Sequence, residues 1–291
     1  MEHTELIVNY RRYLKRRNNS PHTVTNYLAS LRQFILWLDG PPEPVTARTI
    51  SHYIDFLIRR SLKAKSINCH LQRIREFYHY LVREQEVAII NPVKKGYSLR
   101  TSKPLPKHLR QEELDILFKA VNTHRDRAMF MLMLRCGLRV SEVANLSLDA
   151  IDLLRKRLII HDAKWAKDRI VYVSDDALRA MSDYLRARPL SKTQKVFLNQ
   201  KGPYRGQPLS VRGIKKRMEY YAKKTGLRVS CHQLRHTMAT QMLNADAQLA
   251  TIQDLLGHSW ITTTQRYCRL SNRKVERDYY KAMEIVMKRT T

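Results

Sequence analysis

Residues 91 to 107, "NPVKKGYSLRTSKPLPK", limit the folds open to this chain more than any other segment. They hold three prolines, one glycine, five Lys or Arg, no acidic residue and no periodic apolar positions. Proline lacks an amide donor and fixes φ, so such a run does not propagate a helix or a central strand. Its composition reads as an extended basic linker. The 291-residue chain is therefore divided into a domain over 1–90, a linker over 91–107 and a domain over 108–291, each domain long enough to bury its own core.

Both domains carry helical patterning. In "SPHTVTNYLASLRQFILWL", Ser20 is placed to cap and Pro21 to open a helix, and Val24, Tyr27, Leu28, Leu31, Phe34 and Ile35 recur at helical spacing, which predicts a helix over 21–38. "ARTISHYIDFLIRRS" and "KSINCHLQRIREFYHYLVREQ" repeat the pattern with Arg and Lys off the apolar stripe. After the linker, "RQEELDILFKAV" and "HRDRAMFMLMLRCG" read as helices. "KRLIIHDAKWAKDRIVYVS" alternates around a polar centre, as two short strands joined by a turn do. More helices follow from about 175 to the end. The expected fold class is mainly α with a small β-hairpin or sheet in the C-terminal domain.

Charge narrows the function. Lys and Arg total 54 against 26 Asp and Glu, a formal +28, and these charges sit inside segments that look folded, which points to a polyanionic partner. Cys69, Cys136, Cys231 and Cys268 form no C-x-x-C pair, the pattern of reduced thiols. The N-terminus shows no apolar leader core, and no run of about 18 uncharged apolar residues occurs. A cytoplasmic chain without a membrane span is expected.

Three short stretches could carry chemistry. "CGLRVSEVANL" sets Arg139 three residues before Glu142, neighbours on a helical turn; alone, the pair reads first as a structural ion pair. "SCHQLRHTMATQML" sets His232 three residues before Arg235 on one face of a helix that Ser230 caps, two donors for phosphate oxygens or merely an exposed helix start. His236 is assigned to another face. H-x-x-R lacks metal-ligand spacing, so no metal site is expected there. In "LGHSWITTTQRYCRL", a straight helix would put His258 and Tyr267 on opposite faces, roughly 13 Å apart along the axis. Gly257, however, follows "LATIQDLL" where a C-cap belongs, and Thr262 or Thr263 can cap a new helix, so a break lets both side chains face one site.

Together, "GLRVSE", "HQLRHTMAT" and "LGHSWITTTQRY" resemble, in order and spacing, the motifs of the tyrosine recombinases, the family of phage integrases, Cre and the bacterial Xer proteins. "SPHTVTNYLASLRQF" is similar to the core-binding domain of Xer-type members, so the resemblance spans nearly the whole chain. It implies a two-domain clamp on DNA. It also implies that Tyr267 is the nucleophile, that Arg139, His232, Arg235 and His258 act on the phosphate or the tyrosine proton, and that Glu142 supports Arg139. The family's hairpin lysine aligns best with Lys164 in "DAKWAKDR", where Trp165 stands for a glycine; Lys167 remains a competitor.

The implied reaction cleaves and rejoins DNA through a 3′-phosphotyrosyl link and exchanges strands through a Holliday junction, with no metal, ATP or other cofactor. The implied partners are double-stranded DNA with inverted-repeat sites and further protomers, two per site and four in the synapse, with or without a second recombinase. Base-reading helices are expected at 63–85 and 210–224, and the segment from about 272 is expected to dock on a neighbouring protomer. Tyr279 and Tyr280 read as packing residues. The competing readings are a type IB topoisomerase and a catalytically silent architectural protein.

Overall fold

A computed structural model describes residues 3–101, 107–161 and 168–257, together with 279, 280, 283 and 287. The chain divides into two compact units, Met1–Lys103 and Pro104–Thr291.

The N-terminal unit contains α1 (His3–Arg16), α2 (Pro21–Leu38), α3 (Ala47–Arg59) and α4 (Ala64–Glu84). The predicted start of α2 is realised: the Ser20 hydroxyl accepts the Thr23 amide at 3.1 Å, and Pro21 follows at the position where its missing N–H costs nothing. Thr46 and Thr49 exchange hydrogen bonds at 3.3 Å across the first turn of α3, a reciprocal cap. Leu6, Tyr10 and Leu14 of α1 recur every four residues and bury against α2 and α4. The core is rich in aromatic rings that meet edge to face, Tyr10 on Phe77 at 5.2 Å and Phe34 on Tyr53 at 5.0 Å.

Residues 91–101 of the expected linker, a basic strap, depart from the extended form expected of them. Val93 is buried, and Lys95–Tyr97 form a single 3-10 turn. Arg75 donates to the carbonyls of Val93 at 2.9 Å and Lys94 at 2.6 Å, while Asn68 exchanges two hydrogen bonds with Leu99. Polar side chains of α4 thus replace the backbone partners that the prolines and missing periodicity deny this segment. Its first part belongs to the N-terminal unit.

The C-terminal unit contains α5 (Gln111–Ala120), α6 (His124–Arg135), α7 (Val140–Asn145), β1 (Ile151–Asp152), β2 (Arg157–Ile160), β3 (Arg169–Tyr172), α8 (Asp175–Arg186), α9 (Val211–Thr225), α10 (Cys231–Asn244) and α11 (Leu249–Leu256). The predicted hairpin is β2 and β3, antiparallel with Leu158 opposite Val171; β1, too short to show a period, extends it to an antiparallel sheet in the order β1-β2-β3. The sequence of α6 is apolar on every side from Ala128 to Leu134, and all of those residues are buried, packed among α7, α8 and α10. Asp126, fully buried at its start, is satisfied by Arg125 at 2.9 Å, Arg217 at 2.8 Å and the Tyr221 hydroxyl at 3.1 Å, which fastens α9 to α6.

Candidate active site

The site is built where α6, α7, α10, α11 and β3 meet. α6 is capped by Cys136, and Gly137 takes φ +65°, a turn that a side chain resists; a Cβ there would also lie 2.8 Å from the Leu256 side chain. That turn delivers Arg139 to the N-cap of α7, where the Glu142 carboxylate accepts the Arg139 amide at 2.7 Å and its guanidinium Nη1 at 2.7 Å. The predicted neighbours are an ion pair folded into a helix cap.

Glu142 also meets a residue that the sequence reading did not single out. Arg169, the first residue of β3, donates Nη1 to Glu142 Oε1 at 2.9 Å and Nη2 to Oε2 at 2.7 Å. Burial alone would raise the Glu142 carboxyl, but hydrogen bonds and charge from Arg169, and then from Arg139, outweigh it and bring the group to about 2. The signal available in the sequence was the arginine closing "DAKWAKDR". It stays equivocal there, because only folding carries β3 across to α7.

Arg235, on α10, is 2% exposed. Its Nη1 donates to the Gly137 carbonyl and its Nη2 to the Leu256 carbonyl at 2.5 Å. Arg139 Nη2 donates to the Gly257 carbonyl at 3.0 Å, and Arg169 Nε to the Leu255 carbonyl at 2.9 Å. Three guanidiniums therefore hold three successive carbonyls at the C-terminus of α11. Helix geometry leaves such carbonyls without partners, and the helix dipole makes that end negative. Gly257 closes α11 with φ +57°, the left-handed cap that its place after "LATIQDLL" predicts.

His232 lies in the first turn of α10, whose cap is Ser230 as expected, the hydroxyl accepting the Gln233 amide at 3.4 Å. It is exposed while Arg235, one turn further along α10, is buried. The assignment of His236 to another face is corrected. The His232 and His236 rings meet edge to face at 4.1 Å, because residues four apart on a helix differ by only about 40° in direction. Lys164, Lys167, His258 and Tyr267 lie outside the described residues.

Sequence patterns of known families agree with this geometry. That of the phage integrase family matches residues 107–274, and that of the phage integrase N-terminal SAM-like domain matches residues 7–85. The chain belongs to the phage integrase family. It is a Xer-like tyrosine recombinase, an enzyme of site-specific DNA recombination. The recombinase is 35% identical to the tyrosine recombinase XerC of Halalkalibacterium halodurans, over 92% of this chain and 93% of that one. It is 31% identical to XerA of Thermococcus onnurineus, over 92% and 91%. Among solved structures, it shares its fold with XerH site-specific recombinase bound to palindromic difH substrate, at a TM-score of 0.74 and 19% identity over 90% of this chain and 80% of that one. These relatives do not favour the topoisomerase or architectural readings.

Other expectations can be placed. The two helices named for base reading are α4 and α9, and Lys65 and Gln72 of the first and Arg212, Lys215, Lys216, Lys223 and Lys224 of the second are exposed. Tyr279 and Tyr280 are 58% and 61% exposed in this chain rather than packed within it. Burial pushes the Cys136 thiol up to about 12 and the Cys231 thiol to about 11, so neither is a ready nucleophile. Among the described residues, no helix is long and apolar enough to cross a membrane.

Proposed function

We propose that this recombinase cleaves double-stranded DNA through Tyr267. The tyrosine hydroxyl attacks the scissile phosphorus, His232 takes or orients its proton, and the bond to the 5′ oxygen breaks as Lys164 or Lys167 protonates that oxygen. Arg139 and Arg235 bind the non-bridging oxygens, with a further hydrogen bond from His258, and stabilise charge as it reorganises. The 3′-phosphotyrosyl bond conserves the energy of the phosphodiester, so attack by a partner strand's 5′ hydroxyl rejoins the DNA without ATP or a metal. Two such exchanges pass through a Holliday junction.

One observation carries this reading. Arg139 at the N-cap of α7 and Arg235 from α10 donate to adjacent carbonyls, Gly257 and Leu256, so two permanently charged guanidiniums converge beside the peptide that leads into His258. The excess of 54 basic over 26 acidic residues supports two basic domains closing on a duplex, with phosphate contacts dominating affinity. The lambda integrase dimer bound to a core site, whose fold this chain shares at a TM-score of 0.73, supports two protomers per inverted-repeat site. Four in the synapse, a second recombinase in some reactions, docking of the segment from about 272 and a cytoplasmic location complete the proposal.

A suicide substrate nicked beside the scissile phosphate tests it. Wild type forms a covalent protein–DNA adduct and Tyr267→Phe does not; an adduct with the Phe variant removes Tyr267 as the nucleophile.

A further inference from the structure

Arg169 makes more directed contacts than a simple ion pair needs. Its side chain is 9% exposed. Its two terminal nitrogens take both oxygens of Glu142, and Nε takes the Leu255 carbonyl at 2.9 Å. The same two Glu142 oxygens hold the Arg139 guanidinium and amide. The planar fork of Arg169 thus fixes the plane of the carboxylate, and the carboxylate fixes Arg139. On its other side Arg169 joins Arg235 and Arg139 in gripping the carbonyls of Leu255, Leu256 and Gly257. The contact is close: a Cβ on Gly257 would lie 3.1 Å from Arg169 Cδ.

We propose that Arg169 is a positioning residue for strand cleavage. Through Glu142 it sets the direction of the Arg139 guanidinium, and through the Leu255 carbonyl it sets the end of α11 from which the chain continues to His258. It acts through these groups, without touching the phosphate itself. The proposal rests on the reading that Arg139 and His258 contact the scissile phosphate. Without Arg169, the Glu142 carboxylate is free to turn and draw Arg139 with it, and a displacement of about 1 Å at a reacting centre costs about 100-fold in rate. Lysine at 169 keeps the charge but is a point donor that cannot span two carboxylate oxygens and a carbonyl together.

The experiment is single-turnover cleavage of the suicide substrate by the full chain, with Arg169→Lys, Arg169→Gln, Glu142→Gln and Arg139→Ala. Each is measured on the phosphodiester and on the same DNA with a neutral methylphosphonate at the scissile position. With Arg169→Lys we expect cleavage at saturating DNA to fall by about 10- to 100-fold while the Kd for DNA stays within about threefold. On the methylphosphonate, which lacks the charge that Arg139 stabilises, the deficit relative to wild type shrinks to within about threefold. Arg169→Gln slows the Glu142→Gln variant by less than it slows wild type, because only the Leu255 contact remains to be lost.

Wild-type cleavage of the phosphodiester by Arg169→Lys overturns the proposal. So does an equal deficit on both substrates, the result expected if the substitution only loosens the fold. If Arg139→Ala cleaves normally, the reading beneath the proposal falls. If Arg139→Ala fails and both Arg169 variants cleave normally, only the role of Arg169 does.

Discussion

Replacing Glu142 by glutamine removes the anion held between Arg139 and Arg169 while keeping its size. Folding takes this carboxyl from its ordinary 4.5 to about 2. At about 1.4 kcal/mol per tenfold change in proton affinity, that preference for the ionised form is worth about 3 kcal/mol. The side chain is 7% exposed, so solvent screens little of it, and one-sided removal of a buried charge commonly costs about 3–5 kcal/mol because the partner cations are left without it. Glu142→Gln should therefore lower the stability of the C-terminal unit by about 3 kcal/mol at pH 7. Urea unfolding read by pulsed hydrogen exchange measures it, with peptides of the N-terminal unit as the internal control. The pH dependence follows from the sign of the shift. A carboxyl held lower in the folded state contributes fully above its unfolded value and loses that contribution as pH falls through its folded value. The gap between wild type and variant is thus constant above about pH 5 and closes between about 4.5 and 2. A gap under about 1 kcal/mol at pH 7, or one that persists unchanged to pH 2, would refute the account of Glu142 as an ionised clasp.

Four further outcomes follow. Among the described residues, the Tyr10 hydroxyl is buried without a hydrogen-bond partner; Tyr10→Phe should stabilise the N-terminal unit by about 1 kcal/mol in calorimetry, and destabilisation would contradict this. Gly257→Ala forces a side chain into φ +57° against Arg169, so it should cost about 1–2 kcal/mol and slow cleavage more than it weakens DNA binding in gel shifts; an unchanged cleavage rate counts against the α11 grip. Lys164→Ala and Lys167→Ala should separate on a 5′-phosphorothiolate, whose thiolate leaves without a proton: the lysine whose loss is rescued is the acid, and rescue of neither removes the assignment. Deleting residues 272–291 should reduce cleavage if docking between protomers positions Tyr267, and undiminished cleavage in single turnover argues against that coupling.

Much of the fold is legible in the sequence because it is local. The start of α2 follows from Ser20 and Pro21, the end of α11 from Gly257, and the fully apolar run of α6 from its place in the middle of the C-terminal unit. Local signals misled where an element borrows partners from elsewhere. The strap reads as a linker because its own residues lack periodicity, yet Asn68 and Arg75 of α4 supply its hydrogen bonds. His236 needed only its helical angle to be put beside His232.

The motifs by themselves determined the family, the helical character of both units and the identity of the charged residues, since these depend on residue type and spacing over a few turns. Only the tertiary structure decided that Glu142 serves two arginines and that Arg169, Arg235 and Arg139 close on consecutive carbonyls of α11. The physical reason is separation along the chain. Arg139, Arg169 and Arg235 come from the N-cap of α7, from β3 and from α10, and no periodicity links them. What brings them together is a negative helix end and a buried carboxylate, both of which need cations once folding has taken them out of water.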